Sequence, residues 1–336
     1  MFIGQIHEGR TFQEVKEELK QKKFTLQGDG FIQFMDCMGG DADIVAAART
    51  TTDTSGKSPE EDVGLLRYMA RHRHTTPTEM VELKFLVKVA MDTWRQWIRH
   101  RQVSVNEYST RYSEAIDTCQ RVEPDAWRTQ SQGNRQGSAG FLAGWPEGFV
   151  ADGATKGEGA GTYFTRRQDE LLTHAREVYD ERLRAGIANE QARKDLPLST
   201  HTLAVWKIDA HNLLHFLGLR MDSHAQQEIR EYANIIGNEI VAKLLPVTWQ
   251  AFLDYRFNAV TLTALEQQTL LSVSTMPMTG YVFSRTCPVA WRGLKRCRER
   301  DECLAKFARL GLITESQAEE ATSWCSDGIQ RDPTYG

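Results

Sequence analysis

The chain has 336 residues, 40% of them hydrophobic and 26% charged, with a formal net charge of −4. That composition suits one large globular core or two smaller ones, and the slight negative balance excludes a protein that coats nucleic acid through bulk charge. No stretch approaches the roughly 18 apolar residues of a membrane span, and the first residues lack the basic-then-apolar pattern of a secretory leader, so a cytoplasmic protein is expected. Its six cysteines (Cys37, Cys119, Cys287, Cys297, Cys303, Cys325) are irregularly spaced with no Cys-x-x-Cys. They read as free thiols in a reducing compartment, not as disulfides or a zinc site.

In chain order, ADIVAAART (42–50) predicts a helix and SPEEDVGLLRYMARH (58–72) a stronger one. Ser58 can cap the second, Pro59 suits its first turn, and Glu60 and Glu61 sit at the positive end of its dipole. In VELKFLVKVA (81–90), Val81, Leu83, Phe85, Val87 and Val89 fall on one side, the period of a half-buried strand. DTWRQWIRHR (92–101) predicts a helix with Asp92 as cap and Trp94, Trp97 and Ile98 at helical spacing. Those tryptophans read as core or subunit contact before cofactor stacking. Rotation by about 100° per helical residue sends Arg99 and Arg101 to different sides, where they serve two anionic groups or cap the helix end.

The run SVNEYSTRY (104–112) interleaves Glu107, Ser109 and Arg111 with Tyr108, Thr110 and Tyr112. If extended, it sets an acid, a hydroxyl and a guanidinium on one side, as a polar ligand with a phosphate needs. No histidine in this motif is placed to activate Ser109 as a nucleophile. From Pro124 to Tyr163 the chain is rich in Gly, Ser and Gln with little periodicity. This predicts a long loop, its 139–165 part a surface insertion rather than a lid. RRQDELLTHAREVYDERLRAG (166–186) predicts a helix with Leu171, Leu172, Ala175, Val178, Tyr179 and Leu183 on one stripe. HTLAVWKI (201–208) predicts a strand; 209–220 and 223–245 predict helices, Gly218 loosening the end of the first. The fold class expected is α+β, a mixed central sheet with long helices, organised as a catalytic domain 1–285 and an extension 286–336 of unassigned structure.

Arg99-His100-Arg101, seven residues and then Ser109, with Asn106-Glu107-x-Ser109-x-Arg111-Tyr112 running through it, resembles the signature of the flavin-dependent thymidylate synthases. HTTPTE (74–79), WRQWIRHR (94–101), WRTQSQGNRQGS (127–138), ARKDLP (192–197) and LRMDSHAQ (219–226) resemble other family segments in the family's order, so that matching pieces run from about Ala46 to about Tyr232. The resemblance implies conversion of dUMP to dTMP, with carbon from 5,10-methylenetetrahydrofolate and reducing equivalents from NADPH through FAD. It also implies a homotetramer with active sites between subunits. Arg220 matches the family's cation for activating the pyrimidine. The flavin contacts implied are Thr51, His74, Thr76, Glu79, Arg99, His100, Arg101 and Glu107. The nucleotide contacts implied are Gln96, Trp97, Arg99, Glu107, Ser109, Thr110, Arg111, Arg193 and Arg220, with Arg111 and Arg193 on the phosphate.

One flavin segment departs from the pattern. Where many members carry Asn-x-Arg and later Asn, this chain has Asp209-Ala210-His211 and His215. The two histidines are one turn apart and can reach a common ligand, but HNLLH lacks the glutamate of a zinc-protease motif, so no metal is expected. No Gly-x-Gly-x-x-Gly follows a predicted strand, so the flavin site is expected to be non-Rossmann. No cysteine precedes a histidine, which suits activation of the pyrimidine by a cation in place of a thiol adduct. The other arginine-rich triplet, 71–73, matches only through its neighbour His74, and Arg71 and Arg73 read as solvated helix-end charges. Two rival readings remain at this level. One is a relative that alkylates or hydroxymethylates another pyrimidine deoxynucleotide; the other is a nucleic-acid-binding module using the basic, aromatic 95–112 run. The implied partners are small molecules and other copies of the chain, with neither nucleic acid nor membrane.

Overall fold

The alternating apolar residues of 81–90 and 201–208 become the middle of a five-stranded sheet. The computed structural model describes residues 5–6, 10–50, 58–131, 137–267 and 297–326. Two short strands, β1 (Gln5–Ile6) and β2 (Arg10–Thr11), pair ahead of the sheet. The sheet contains β3 (Lys23–Thr25), β4 (Phe31–Met38), β5 (Glu82–Ala90), β6 (Ser104–Glu107) and, after the hairpin β7 (Arg128–Gln130) and β8 (Ser138–Phe141), β9 (His201–Asp209). Its order is β3-β4-β5-β9-β6, and every pairing is antiparallel. The expectation of a mixed sheet is thus corrected, while α+β with long helices stands. Leu83, Phe85, Val87 and Val89 face the core beside Ala204, Trp206 and Ile208 of β9. Phe85 pairs with Trp206 in register, their rings 5.5 Å apart.

The helices, in chain order, are α1 (Phe12–Lys20), α2 (Asp41–Arg49), α3 (Pro59–His72), α4 (Thr76–Glu79), α5 (Met91–Trp97), α6 (Ala160–Arg184), α7 (Asn189–Ala192), α8 (Ala210–Arg220) and α9 (Gln227–Ile235). α1, α2, α3, α5, α8 and α9 add side chains to the core on that apolar face, whereas α6 and α7 share a separate small cluster of Ala115, Tyr179 and Ala192. α9 runs on through a π-helical turn, Ile236–Val241, into α10 (Ala242–Leu244), and α11 (Pro246–Phe252) follows. Ser58 caps α3 as expected, with Glu61 closing a reciprocal capping box. The carboxylate of Asp41, almost fully buried, accepts from the backbone amides of Val247 and Thr248 and from the Thr248 hydroxyl, tying α2 to the start of α11.

Several expectations change. The long loop contains the β7–β8 hairpin, and α6 starts at Ala160 rather than at 166. Gly161 makes that start possible, because a Cβ there would lie 1.9 Å from the Pro124 carbonyl oxygen. The expected apolar stripe of α6 is only partly covered: Tyr179 is buried, whereas Leu171 is 61% exposed. α9 begins at Gln227 because 222–225 form a turn, closed by Ala225 N–H donating to the Asp222 carbonyl.

The chain divides into two compact units after Ala259, not after residue 285. The helical run of the first unit ends at Phe257, and Leu262 and Leu265 already pack against the core of the second, with Cys303, Leu304 and Phe307. Among its described residues that unit includes the helices Arg298–Arg309 and Glu315–Ser326, which the sequence left unassigned. Cys287 and most of the basic segment 285–300 lie outside the described residues, as does Thr51. Among the described residues no helix is long and apolar enough to cross a membrane.

Candidate active site

Trp94 and Trp97 drive α5 into the core. Trp97 is fully buried, with its ring 5.1 Å from both Trp206 and Phe216. This bears out the core reading of both tryptophans and corrects the expected nucleotide contact of Trp97, whose side chain has no exposed surface to offer. α5 ends there, and Asp92 sits inside its first turn instead of capping it. The chain must turn at once to enter the edge strand β6. Arg99, His100 and Arg101 therefore lie on a bend past the helix, closed by His100 N–H donating to the Trp97 carbonyl at 3.1 Å, and the helical rotation expected for the two arginines does not apply.

That bend exposes Arg99 and Arg101 and tucks His100 against Phe216 (4.9 Å) and near His215 (6.0 Å). Arg220, the last residue of α8, donates from Nε to His100 Nε2 at 3.1 Å and from a terminal nitrogen to the Gln96 carbonyl at 3.4 Å. Burial first, then the neighbouring Arg220 charge, pushes the His100 pKa down to about 4. Its neutral ring thus carries the proton on Nδ1 and accepts at Nε2. Arg99, His100, Arg101, Asn212, His215 and Arg220 line a cavity of about 400 Å³ whose wall, among the described residues, has no carboxylate. Among the described residues neither Arg99 nor Arg101 forms an ion pair.

The opposite end of β6 carries a second group. Glu107 accepts from the buried Trp94 indole at 3.0 Å and the buried Thr202 hydroxyl at 2.7 Å. Beyond it the extended alternation stops. The Ser109 carbonyl accepts from the amides of Tyr112 and Ser113, so 109–113 form a turn and the one-sided array of Glu107, Ser109 and Arg111 is corrected. Arg193 donates to the Thr110 hydroxyl at 2.5 Å, and Arg111 lies 3.8 Å from Glu190 in an exposed pair. Gln96 is hydrogen-bonded to the side chain of Gln226.

A third group gathers where α4 meets α8. Arg73, His74, Thr75, Thr78, His211 and Arg256 line a cavity of about 150 Å³, and an adjoining hollow includes Thr76. Glu79 accepts from the Thr75 hydroxyl at 3.4 Å. Asp209 is the N-cap of α8, its carboxylate accepting from the backbone and side-chain amides of Asn212, so the acid of the expected flavin segment also starts the helix. His211 and His215, though one turn apart, line different cavities; only a ligand that spans α8 meets both, which narrows the expectation of a common ligand.

The sequence reading missed Arg256, Asn212 and Thr202. Arg73, read as a solvated helix-end charge, is exposed and closes α3 in the left-handed region at φ 59°, where a bulky side chain is unusual and strained; it also lines the cavity beside His74. Among the described residues no three His, Cys, Asp or Glu gather as metal ligands do. The described cysteines are free, and none lines the two cavities that hold the expected flavin residues.

Residues 33–247 match the family model described as thymidylate synthase complementing protein. The chain is 40% identical to a flavin-dependent thymidylate synthase of Ehrlichia ruminantium over 239 residues, 71% of this chain and 75% of that one. It is 42% identical to one of Gluconobacter oxydans over 74% of this chain and 78% of that protein. A Thermus thermophilus relative of the same description is 40% identical over 73% and 84%. Among solved structures, a UMP/dUMP methylase, PolB from Streptomyces cacaoi, bound with 5-Br dUMP, resembles it with a TM-score of 0.58 at 30% identity, covering 70% of this chain and 99% of that one.

Proposed function

The chain belongs to the thymidylate synthase complementing protein family, the flavin-dependent thymidylate synthases, and from that membership we propose how its residues divide the work. The reaction is reductive methylation of dUMP to dTMP, with 5,10-methylenetetrahydrofolate as carbon donor and NADPH as reductant through FAD.

The carboxylate-free cavity beside the 99–101 bend is the observation that carries the assignment. FAD carries a diphosphate, and guanidinium and imidazole donors without acids between them fit such an anion. Arg99, His100, Arg101 and His215 would hold it, with His74, Thr76, Glu79 and His211 on the other side of α8. When bound, FAD supplies the reducing equivalents that turn a transferred methylene into a methyl group.

The protein's own contribution is a fixed cation. Arg220 spends its Nε on neutral His100 and one terminal nitrogen on the Gln96 carbonyl, which leaves the rest of its guanidinium to the cavity. Placed against the uracil N3/O4 edge, it stabilises negative charge there and raises electron density at C5 without a sulfur adduct. Half-burial strengthens that interaction by excluding water. Arg193 and Arg111 take the nucleotide phosphate; Glu107, Ser109, Thr110 and Gln96 take the sugar and base.

The three groups of residues occupy separate walls of one chain, and this supports a homotetramer in which neighbouring subunits complete each site. The test is optical. The purified protein should be yellow, bleach with NADPH, and recover its colour when dUMP and methylenetetrahydrofolate are added, with dTMP identified by mass. A colourless protein that binds polynucleotide in a salt-sensitive way would point to the nucleic-acid reading. A methylated or hydroxymethylated product formed from another pyrimidine nucleotide, with dUMP inert, would point to the other rival.

A further inference from the structure

Glu107 is the last residue of an edge strand, and a glutamate there ordinarily keeps its rotamers free, with side-chain entropy to lose on ordering. Here both oxygens are held. Trp94 Nε1 donates to Oε2 at 3.0 Å and Thr202 Oγ1 to Oε1 at 2.7 Å. The donors come from rigid elements on the core side: Trp94 from α5, 1% exposed, and Thr202 from the central strand β9, 4% exposed. The register explains how the carboxylate reaches them. Glu107 pairs with Ala204, so it shares a face with that small, buried side chain and, two residues along, with Thr202. An alanine at 204 leaves room for the carboxylate to fold back over β9.

We propose that Trp94 and Thr202 are positioning residues which fix the Glu107 carboxylate for the nucleotide. A carboxylate has about four acceptor sites, so one donor on each oxygen leaves a second lone pair on each for a ligand hydroxyl or N–H. Since both donors lie out of water, their bonds hold direction better than solvated ones. Trp94 therefore has two roles, one in the core and one at the site, and Thr202 sets the second oxygen. The inference rests on the reading of Glu107 as a ligand contact.

The test measures kcat/KM for dUMP with the flavin-loaded enzyme. T202V keeps the shape of threonine and removes its hydroxyl; T202S keeps the hydroxyl; W94F keeps an aromatic ring without the donor. T202V and W94F should each lower kcat/KM about tenfold, the worth of one hydrogen bond to a charged group, and T202S should stay within about twofold of the parent. In an E107Q background the further loss from T202V should shrink to about twofold or less, because its effect passes through Glu107. T202V at parental kcat/KM, or a full tenfold loss persisting beside E107Q, would overturn the positioning role while leaving Glu107 as a ligand contact. E107Q itself at parental kcat/KM would instead remove Glu107 from the site, and the proposal with it. The T202V and T202S pair decides the matter even if W94F does not fold.

Discussion

The four residues of β6 separate two differently prepared polar surfaces. At the Glu107 end the side chains are already engaged: Glu107 by Trp94 and Thr202, Thr110 by Arg193, Arg111 by Glu190. At the Ser104 end, Arg99 and Arg101 stand exposed without an ion pair among the described residues, and their cavity wall has no acid. One surface is preorganised within a single chain; the other is a concentration of positive charge that becomes favourable only when an anion arrives. Arg220 belongs to neither pattern, since its position is fixed by His100 and Gln96 while no carboxylate among the described residues pairs with its charge.

Three variants sharpen this contrast, the largest effect first. R220A should reduce dTMP formation by about a thousandfold, the scale of removing a group that stabilises developing charge, while flavin absorbance remains. Near-normal turnover would take Arg220 out of the mechanism. Next, R99A should weaken FAD retention by roughly tenfold to a hundredfold and change dUMP affinity by a smaller factor. R193A should do the reverse, raising the KM for dUMP by a similar factor in a protein that stays yellow. If both variants lose flavin and nucleotide together, the two ends of β6 are not separate surfaces.

The smallest effect concerns pH. The His100 pKa, about 4 in the folded protein, lies below its ordinary 6.5, so the unfolded chain binds the proton more readily between those values. The stability held in the His100–Arg220 contact is therefore complete above pH 6.5 and fades as pH falls through 4. Burial lowers His201 to about 4 with the same sign, whereas burial raises Asp41 to about 6 with the opposite sign. A difference measurement isolates His100. The melting-temperature gap between parent and H100Q should be constant above pH 6.5 and narrow toward pH 4; a gap independent of pH would contradict a buried neutral imidazole.

Much of the fold was legible because period two and helix caps are local. The residues of β5 and β9 alternate as a half-buried strand requires, and the Ser58 cap placed α3 to the residue. The end of α5 was not legible. Trp94, Trp97 and Ile98 continue a helical spacing past the point where the chain must turn into β6, and only the seat of Trp97 between Trp206 and Phe216 fixes that point. The alternation of 104–112 misled for a related reason: the turn at 109–113 is held by the Ser109 carbonyl, a backbone acceptor with no side-chain signature.

The order of charged and polar residues by itself determined the family and, through it, the reaction, because family motifs depend on which groups exist and how far apart they stand along the chain. What only tertiary structure decided is how each group is held. His211 and His215 are neighbours on a helix, yet packing sends them to different cavities. Asp209 is an acid in a flavin segment, yet the free amides at the start of α8 claim its carboxylate. Trp94 and Thr202 are 108 positions apart, and they meet on one carboxylate because β9 crosses the sheet beside β6. Hydrogen bonds and burial act through space, so a side chain's partners, and with them its direction and charge state, follow from the folded arrangement.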